Sequence, residues 1–379
     1  MNRIHQESGQ GGHRGIRIGG AGIATNPRRD TQRLQAWLAE LGLLAHVRIQ
    51  TDSLVLTASL APECALSWAP GFDTTALGAV LADQCGRDDR HIEREVLAGL
   101  LVSPLELEFP DFSEFESAVR IRVDTARAAS ATMLRFDVDQ HRPEAYWKRL
   151  DTGSFALRSG CSLVGALAAA TQPAHGEDPY GFGCYRASEY VMLLAIAREA
   201  ARSHPELKHR LRERSTRRPI ESREFHEVLL RELGTFDEPL PACWFVPGDR
   251  IWFRNPDAHS ADAEGFEGSW VIYIGDGLFS NFWKRNAPFT LERKCVEIYH
   301  WRNATYRGDD GCLRVDEEEA ARRVAITEEN PDECARVLSL MQRWRDPRGV
   351  YEQGGCMDRT REFARWVQPD SCDIAFSPA

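Results

Sequence analysis

Residues 184–202, CYRASEYVMLLAIAREAAR, constrain the fold more than any other stretch of the chain. They read as an apolar helix with one polar edge, long enough to cross a domain core and stable only when packed on most sides. A Pro- and Gly-rich loop, QPAHGEDPYGFG (172–183), runs directly into it. Strand signals supply the layers such a helix needs. VRIQTDSLVLTASL (47–60) reads as a hairpin turning at Thr51-Asp52-Ser53, and AYWKRLDTGSFALRSG (145–160) as two short strands joined at Asp151-Thr152-Gly153. CWFVPGDRIWFRNPD (243–257) and GSWVIYIGDGLFSNFW (268–283) are the strongest strands, the second folded at Asp276-Gly277. RKCVEIYHW (293–301) reads as one more.

Helices are expected at 31–43, onward from a Ser113-x-x-Glu116 capping box, and at 219–234 between Pro219 and Gly234. After about residue 310 the chain turns helical and charged (DEEEAARR, PDECARVLSLMQRW, DRTREFARWV) and ends in an unstructured SPA. Together these readings describe an α+β protein. Its 379 residues suffice for two or three domains at about 100–200 residues each. Residues 1–30, rich in Gly, Arg and polar residues, read as a flexible arm. Residues 31–90 read as a small α/β domain closed by the Asp- and Arg-rich linker GRDDRH (86–91), 91–308 as the core, and 309–379 as a helical extension.

Charge and cysteine usage narrow the function. The net charge of −10 disfavours general attraction to nucleic acid or an anionic membrane. The basic run HRLRERSTRR (209–218) reads as a solvated helix end and linker. No apolar run approaches the roughly 18–20 residues that span a bilayer, and the first thirty residues lack the apolar centre of a secretory signal, so a cytoplasmic location is expected. The ten cysteines include no Cys-x-x-Cys pair, which argues against a structural zinc site and for small buried hydrophobes.

Cys184 differs from the other cysteines. It follows Gly181-Phe182-Gly183 at the first turn of the apolar helix, where the dipole and unpaired N–H groups are expected to lower the thiol pKa. Nearby N–H groups would also suit an oxyanion. The alternative is an unreactive Cys packed in a helix start. Cys356, in GGCMDRTR, lacks the Cys-x5-Arg spacing of a phosphatase loop. Trp270, Phe279, Phe282 and Trp283 read either as an aromatic cleft or as core.

Several of these segments taken together resemble the bacterial, spore-type protein-glutamine gamma-glutamyltransferases (transglutaminases). YWKRLDTGSFALRSG, GFGCYRASEYVMLLAIA, PGDRIWFRNPD and GSWVIYIGDGLFSNF follow that family's order and approximate spacing over roughly residues 95–305, and SEFESAVRIRVDTARAASAT resembles its preceding helix. The resemblance implies a papain-like, NlpC-type core with the cysteine helix against an antiparallel sheet, and no metal or organic cofactor. It implies attack of the Cys184 thiolate on a protein glutamine carboxamide, a thioester, and transfer to a lysine amine. The partners would be proteins carrying Gln and Lys. Spore association is implied by the resemblance only. The family's glutamate and histidine correspond here to Ser269 and Asn281, neither of which exchanges a proton near pH 7. Glu267, His259 and His300 are the possible substitutes, while Gly183, Trp270 and Trp283 would border the substrate. Two alternatives remain open: a glutamine deamidase or amide hydrolase using the same thiol, and a catalytically degenerate binding or structural protein.

Overall fold

The computed structural model describes residues 14–20, 26–137, 140–174, 176–220, 222–346 and 354–376. Residues 1–13 and 21–25 of the expected arm, and the SPA end, lie outside them. The amino-terminal layer runs β1 (Ile16–Gly19), α1 (Pro27–Glu40), β2 (Val47–Thr51), β3 (Val55–Leu60), α2 (Pro62–Trp68), α3 (Leu77–Cys85), α4 (His91–Leu101) and β4 (Leu107–Phe109). Its sheet has the order β2-β3-β1-β4. The hairpin read at 47–60 is present, its turn held by Asp52 Oδ1, which accepts from the N–H groups of Leu54 and Val55.

Two segments of the expected arm are structured. β1 lies between β3 and β4, burying Ile16 and Ile18 on one face. Four residues between glycines are too short a run to stand out as a strand. Helix α1 starts earlier than expected because Asn26 caps it, accepting from Arg29 N–H, with Pro27 in its first turn.

Helix α5 (Phe112–Ala131) follows. Its cap is Asp111, which accepts from Glu114 N–H at 2.9 Å, so the Ser113/Glu116 box does not form. Starting at Phe112 lets that ring pack with Trp37 and Phe115, and Glu116 pairs instead with Arg33. Val96, Leu100, Phe112 and Val119 share one apolar core with Ile16, Leu34 and Leu56, so packing continues across the linker expected at 86–91. Within that linker Arg87 makes a two-pronged contact to Asp276 at 2.6 and 2.9 Å.

The remainder runs β5 (Arg135–Phe136), β6 (Trp147–Arg149), β7 (Phe155–Leu157), α6 (Leu163–Thr171), β8 (Gly181–Phe182), α7 (Cys184–Ser203), α8 (Pro205–Arg217), α9 (Ser222–Leu229), β9 (Leu230–Leu233), β10 (Arg250–Arg254) and α10 (Ala258–Ala261). Then come β11 (Gly268–Gly275), β12 (Leu278–Phe279), β13 (Phe289–Thr290), α11 (Leu291–Ala304), β14 (Thr305–Arg307), β15 (Leu313–Val315), α12 (Glu317–Glu328), α13 (Pro331–Met341) and β16 (Arg361–Ala364). The central sheet has the order β13-β12-β11-β10-β16-β9, every adjacent pair antiparallel. Ile272 joins the α7 core on one face, while Val271 and Tyr273 join α11, α12 and α13 on the other. This is the expected α+β arrangement, a cysteine-bearing helix against an antiparallel sheet.

Four assignments change. The helix read at 219–234 ends at Leu229 and continues as β9, because Leu230–Leu233 find a ladder partner in β16. The strand read at 243–257 is confined to Arg250–Arg254; Pro247-Gly248 interrupts it. Residues 293–301 are helical: Thr290 caps Arg293 N–H, and Leu291, Cys295, Ile298 and Trp301 are buried at three- and four-residue steps. Their aromatic and β-branched content suggested a strand, and tertiary packing overrode it. Within DRTREFARWV, Arg361–Ala364 form a strand inserted between β10 and β9, so the carboxy-terminal segment helps build the sheet rather than only extending it in helices. Asp276 and Gly277 turn β11 into β12 with φ values of 55° and 71°, the positive pair that a two-residue hairpin favours. Among the described residues, no helix is long and apolar enough to cross a membrane.

Candidate active site

Cys184 is the first residue of α7. The two-residue strand β8 delivers it, pairing parallel with β5 in the register Phe136 to Phe182. Gly183 is the N-cap and offers no side chain, leaving the entrance to the helix open. The residue as a whole is half-buried. The backbone N–H groups of Trp270, on β11, and Tyr185 lie near its sulfur and favour the ionised form.

Burial nevertheless pushes the Cys184 thiol up from its ordinary value, the reverse of the lowering expected from its helix position. The two N–H donors and the Lys294 ammonium act downward, and Glu267 acts upward. Desolvation exceeds all of them. In the resting protein, alkylation of Cys184 by iodoacetamide should therefore still be accelerating above pH 9, and Lys294→Met should move the profile further up. A plateau reached below pH 7, measured by mass spectrometry of the Cys184 peptide, contradicts this.

Below the first turn, α7 is fastened to the sheet by charge. Arg250 on β10 is buried; its Nε donates to Ser188 Oγ at 2.8 Å, and its Nη1 pairs with Glu362 on β16. The guanidinium also lies over Trp270 at 3.9 Å and Tyr185 at 4.4 Å. Trp270 stacks on Trp252 with centroids 5.9 Å apart and meets Tyr185 edge-on. Glu362 receives His226 at 2.9 Å, which raises the imidazole pKa. On the far side of β8, Phe136 packs against Trp283 and Phe266, and Phe266 against Trp301. Lys294 of α11 lies over Phe289 at 4.1 Å and pairs with Glu297.

The expected site residues divide. Cys184, Gly183 and Trp270 come together, with Glu267 close enough for its charge to act on the sulfur. Trp283 stands by the strand paired with the cysteine segment. Trp270 and Trp283 are half-exposed while Phe279 and Phe282 are buried, so the aromatic run is part cleft wall and part core. Strand alternation puts Ser269 on the face opposite Trp270, with Val271 and Tyr273. Asn281 spends its amide on its own loop, donating to Ala287 O and accepting from Trp283 and Lys284 N–H. His259 is exposed on α10. His300 is buried on α11 with both ring nitrogens engaged, by Thr327 at 2.7 Å and Asn303 at 2.9 Å, and burial lowers its pKa.

Sequence reasoning missed Lys294 and Arg250. Lys294 lies in a segment whose composition suggests a strand, and Arg250 in the strand pattern of 243–257, where nothing local marks it as a site residue. Separately, His91, Glu95 and Asp276 bring one possible metal-ligand atom each within 4.8 Å of one another. Their carboxylates already accept from Arg87, His91, Tyr273 OH and Asp276 N–H, which fits a hydrogen-bond network better than a cation site. Burial pushes Glu95 up to about 7. An acid raised this way binds its proton more tightly when folded, so its contribution to stability falls as pH climbs from about 4.5 to about 7, by on the order of 3 kcal/mol. Glu95→Gln should flatten that part of the stability profile and be relatively more stable at pH 8 than at pH 5. Urea unfolding at both values decides it.

The sequence pattern of the family described as "Protein-glutamine gamma-glutamyltransferase" matches residues 80–352. The chain is 29% identical over 198 residues to a protein-glutamine gamma-glutamyltransferase of Halalkalibacterium halodurans; the match covers 51% of this chain and 64% of that relative. Among solved structures, a transglutaminase from Geobacillus stearothermophilus without its C-terminal extension aligns with a TM-score of 0.39 at 16% identity, covering 56% of this chain and 98% of that one.

Proposed function

The chain belongs to the protein-glutamine gamma-glutamyltransferase family, and from that premise we propose that it catalyses acyl transfer from glutamine carboxamides to primary amines, cross-linking proteins, with Cys184 as the nucleophile. The observation that carries this reading is a half-buried cysteine at the start of a buried helix, with the N–H groups of Trp270 and Tyr185 near enough to its sulfur to favour the thiolate.

In the proposed reaction the Cys184 sulfur attacks the γ-carboxamide carbon. The carbon–nitrogen bond breaks, ammonia leaves with the thiol proton, and a thioester remains. A lysine ε-amine then attacks that carbon, the carbon–sulfur bond breaks, and the amine proton returns to sulfur. Lys294 opposes the desolvation that disfavours the thiolate. Trp270 and Trp283 border the approach and limit water, which competes with the amine. Substrates are proteins presenting Gln and Lys side chains.

Two observations favour a second reading. The neutral thiol is stabilised, and Asn281 and His300 are both committed elsewhere, which suits a slow enzyme or a binding descendant. Incubation with a fluorescent primary amine and casein separates the outcomes. Labelled casein with matching ammonia release supports transfer. Ammonia without label means deamidation, and neither product means a protein that has kept the fold without turnover.

A further inference from the structure

Arg186 and Tyr190 point away from the α7 face that carries Cys184 and Ser188, toward the β6–β7 hairpin, where a cavity of about 330 Å³ opens. Arg142, Arg149 and Arg186 all line it, a concentration of guanidinium groups in a chain whose net charge is −10. Arg142 is only 4% exposed. Its Nη1 donates to Gly181 O at 2.7 Å and His141 O at 2.6 Å, and its Nη2 to Gln140 Oε1 at 3.0 Å. Its Nε is buried with no hydrogen-bond partner, and the rings of Phe182 at 3.2 Å, Tyr190 at 4.9 Å and Phe155 at 5.0 Å pack around the guanidinium. No carboxylate pairs with it among the described residues. Arg186, by contrast, is neutralised by Glu189 at 2.5 Å.

Burying a charge is costly unless an opposite charge accompanies it. The cavity supplies the space for one. Its volume falls at the small end of ligand sites, and the hydroxyls of Thr152 and Ser154, 2.6 Å apart in the hairpin turn, add neutral donors to the arginines. We propose that this cavity binds a small molecule carrying a phosphate or carboxylate group, with that oxyanion held by Arg142 and Arg149 and by the Thr152 and Ser154 hydroxyls. Because Arg142 also holds Gly181 O and lies over Phe182, the site adjoins the segment that delivers Cys184. The proposal goes beyond acyl transfer and does not depend on it.

Calorimetric titration of the full chain with pyrophosphate, inorganic phosphate and citrate, balanced with sodium chloride to constant ionic strength, tests it. The expected result is saturable one-to-one binding, by the phosphate compounds if phosphate is the recognised group and by citrate if carboxylate is. Arg149→Gln, on the exposed rim, should weaken it by about tenfold or more, the scale of a charge-assisted hydrogen bond. Arg142→Lys, which keeps the charge and loses the planar fork, should weaken it as well. Absence of saturable heat with all three compounds overturns the proposal, as does binding that Arg149→Gln leaves unchanged.

Discussion

Cys184→Ala is expected to abolish amine incorporation into casein, a loss on the order of 10⁴-fold or more, while the protein keeps its far-ultraviolet circular dichroism and its urea midpoint. The size follows from chemistry. Without the sulfur there is no thioester, and what remains is the modest benefit of holding two substrates together. Folding should survive because the residue sits at a helix start and is only half-buried, and alanine suits a helix. Cys184→Ser should be nearly as inactive, a hydroxyl being a far weaker nucleophile at neutral pH. Labelling that persists at the wild-type rate in both variants would place the nucleophile elsewhere. Cys295 and Cys356 make poor substitutes, being fully buried with their sulfurs 3.5 Å apart.

Arg250→Leu carries the largest expected loss of stability, about 3–5 kcal/mol, because it leaves Glu362 buried with only His226 beside it. The same change strips Ser188 of its donor and Trp270 and Tyr185 of the cation that both rings face. Urea unfolding measures the loss. The double variant Arg250→Leu, Glu362→Leu should lose less than the sum of the single changes, since removing both charges leaves none stranded. A single variant that unfolds within about 1 kcal/mol of wild type would mean the guanidinium contributes little net stability after desolvation, as some buried pairs do. Activity should fall alongside stability, because Trp270 supplies one of the N–H groups on the Cys184 sulfur.

The sequence made some elements plain and hid others for physical reasons. Helix α7, the two short strands at 147–157 and the turn at Asp276-Gly277 were legible because periodicity and turn chemistry are local. β1, β9 and β16 were not, since each is a four-residue strand whose identity comes from its neighbours in the sheet. Helix α11 misled because Val296, Ile298, Tyr299 and Trp301 favour strands in isolation, whereas Thr290 and the surrounding helices settle the matter. At the site, the position of Cys184 was readable. The balance between dipole and desolvation was not, because it depends on how much protein surrounds the sulfur. The partners of Asn281 and His300 were equally hidden: Asn281 turns on its own loop, and His300 meets Thr327 of the facing helix α12 as well as Asn303 of its own helix.

The placement of β16 has a bearing on synthesis. Arg361–Ala364 fill the gap between β10 and β9, and Glu362 there completes the contact that holds Arg250 beneath Tyr185 and Trp270. A ribosome makes β9 and β10 long before it makes this strand, so a nascent chain carries the cysteine without its finished surroundings. Pairings so distant along the chain form slowly. Until translation has passed Arg361–Ala364, the first turns of α7 therefore stand without the buried ion pair that fastens them to the sheet.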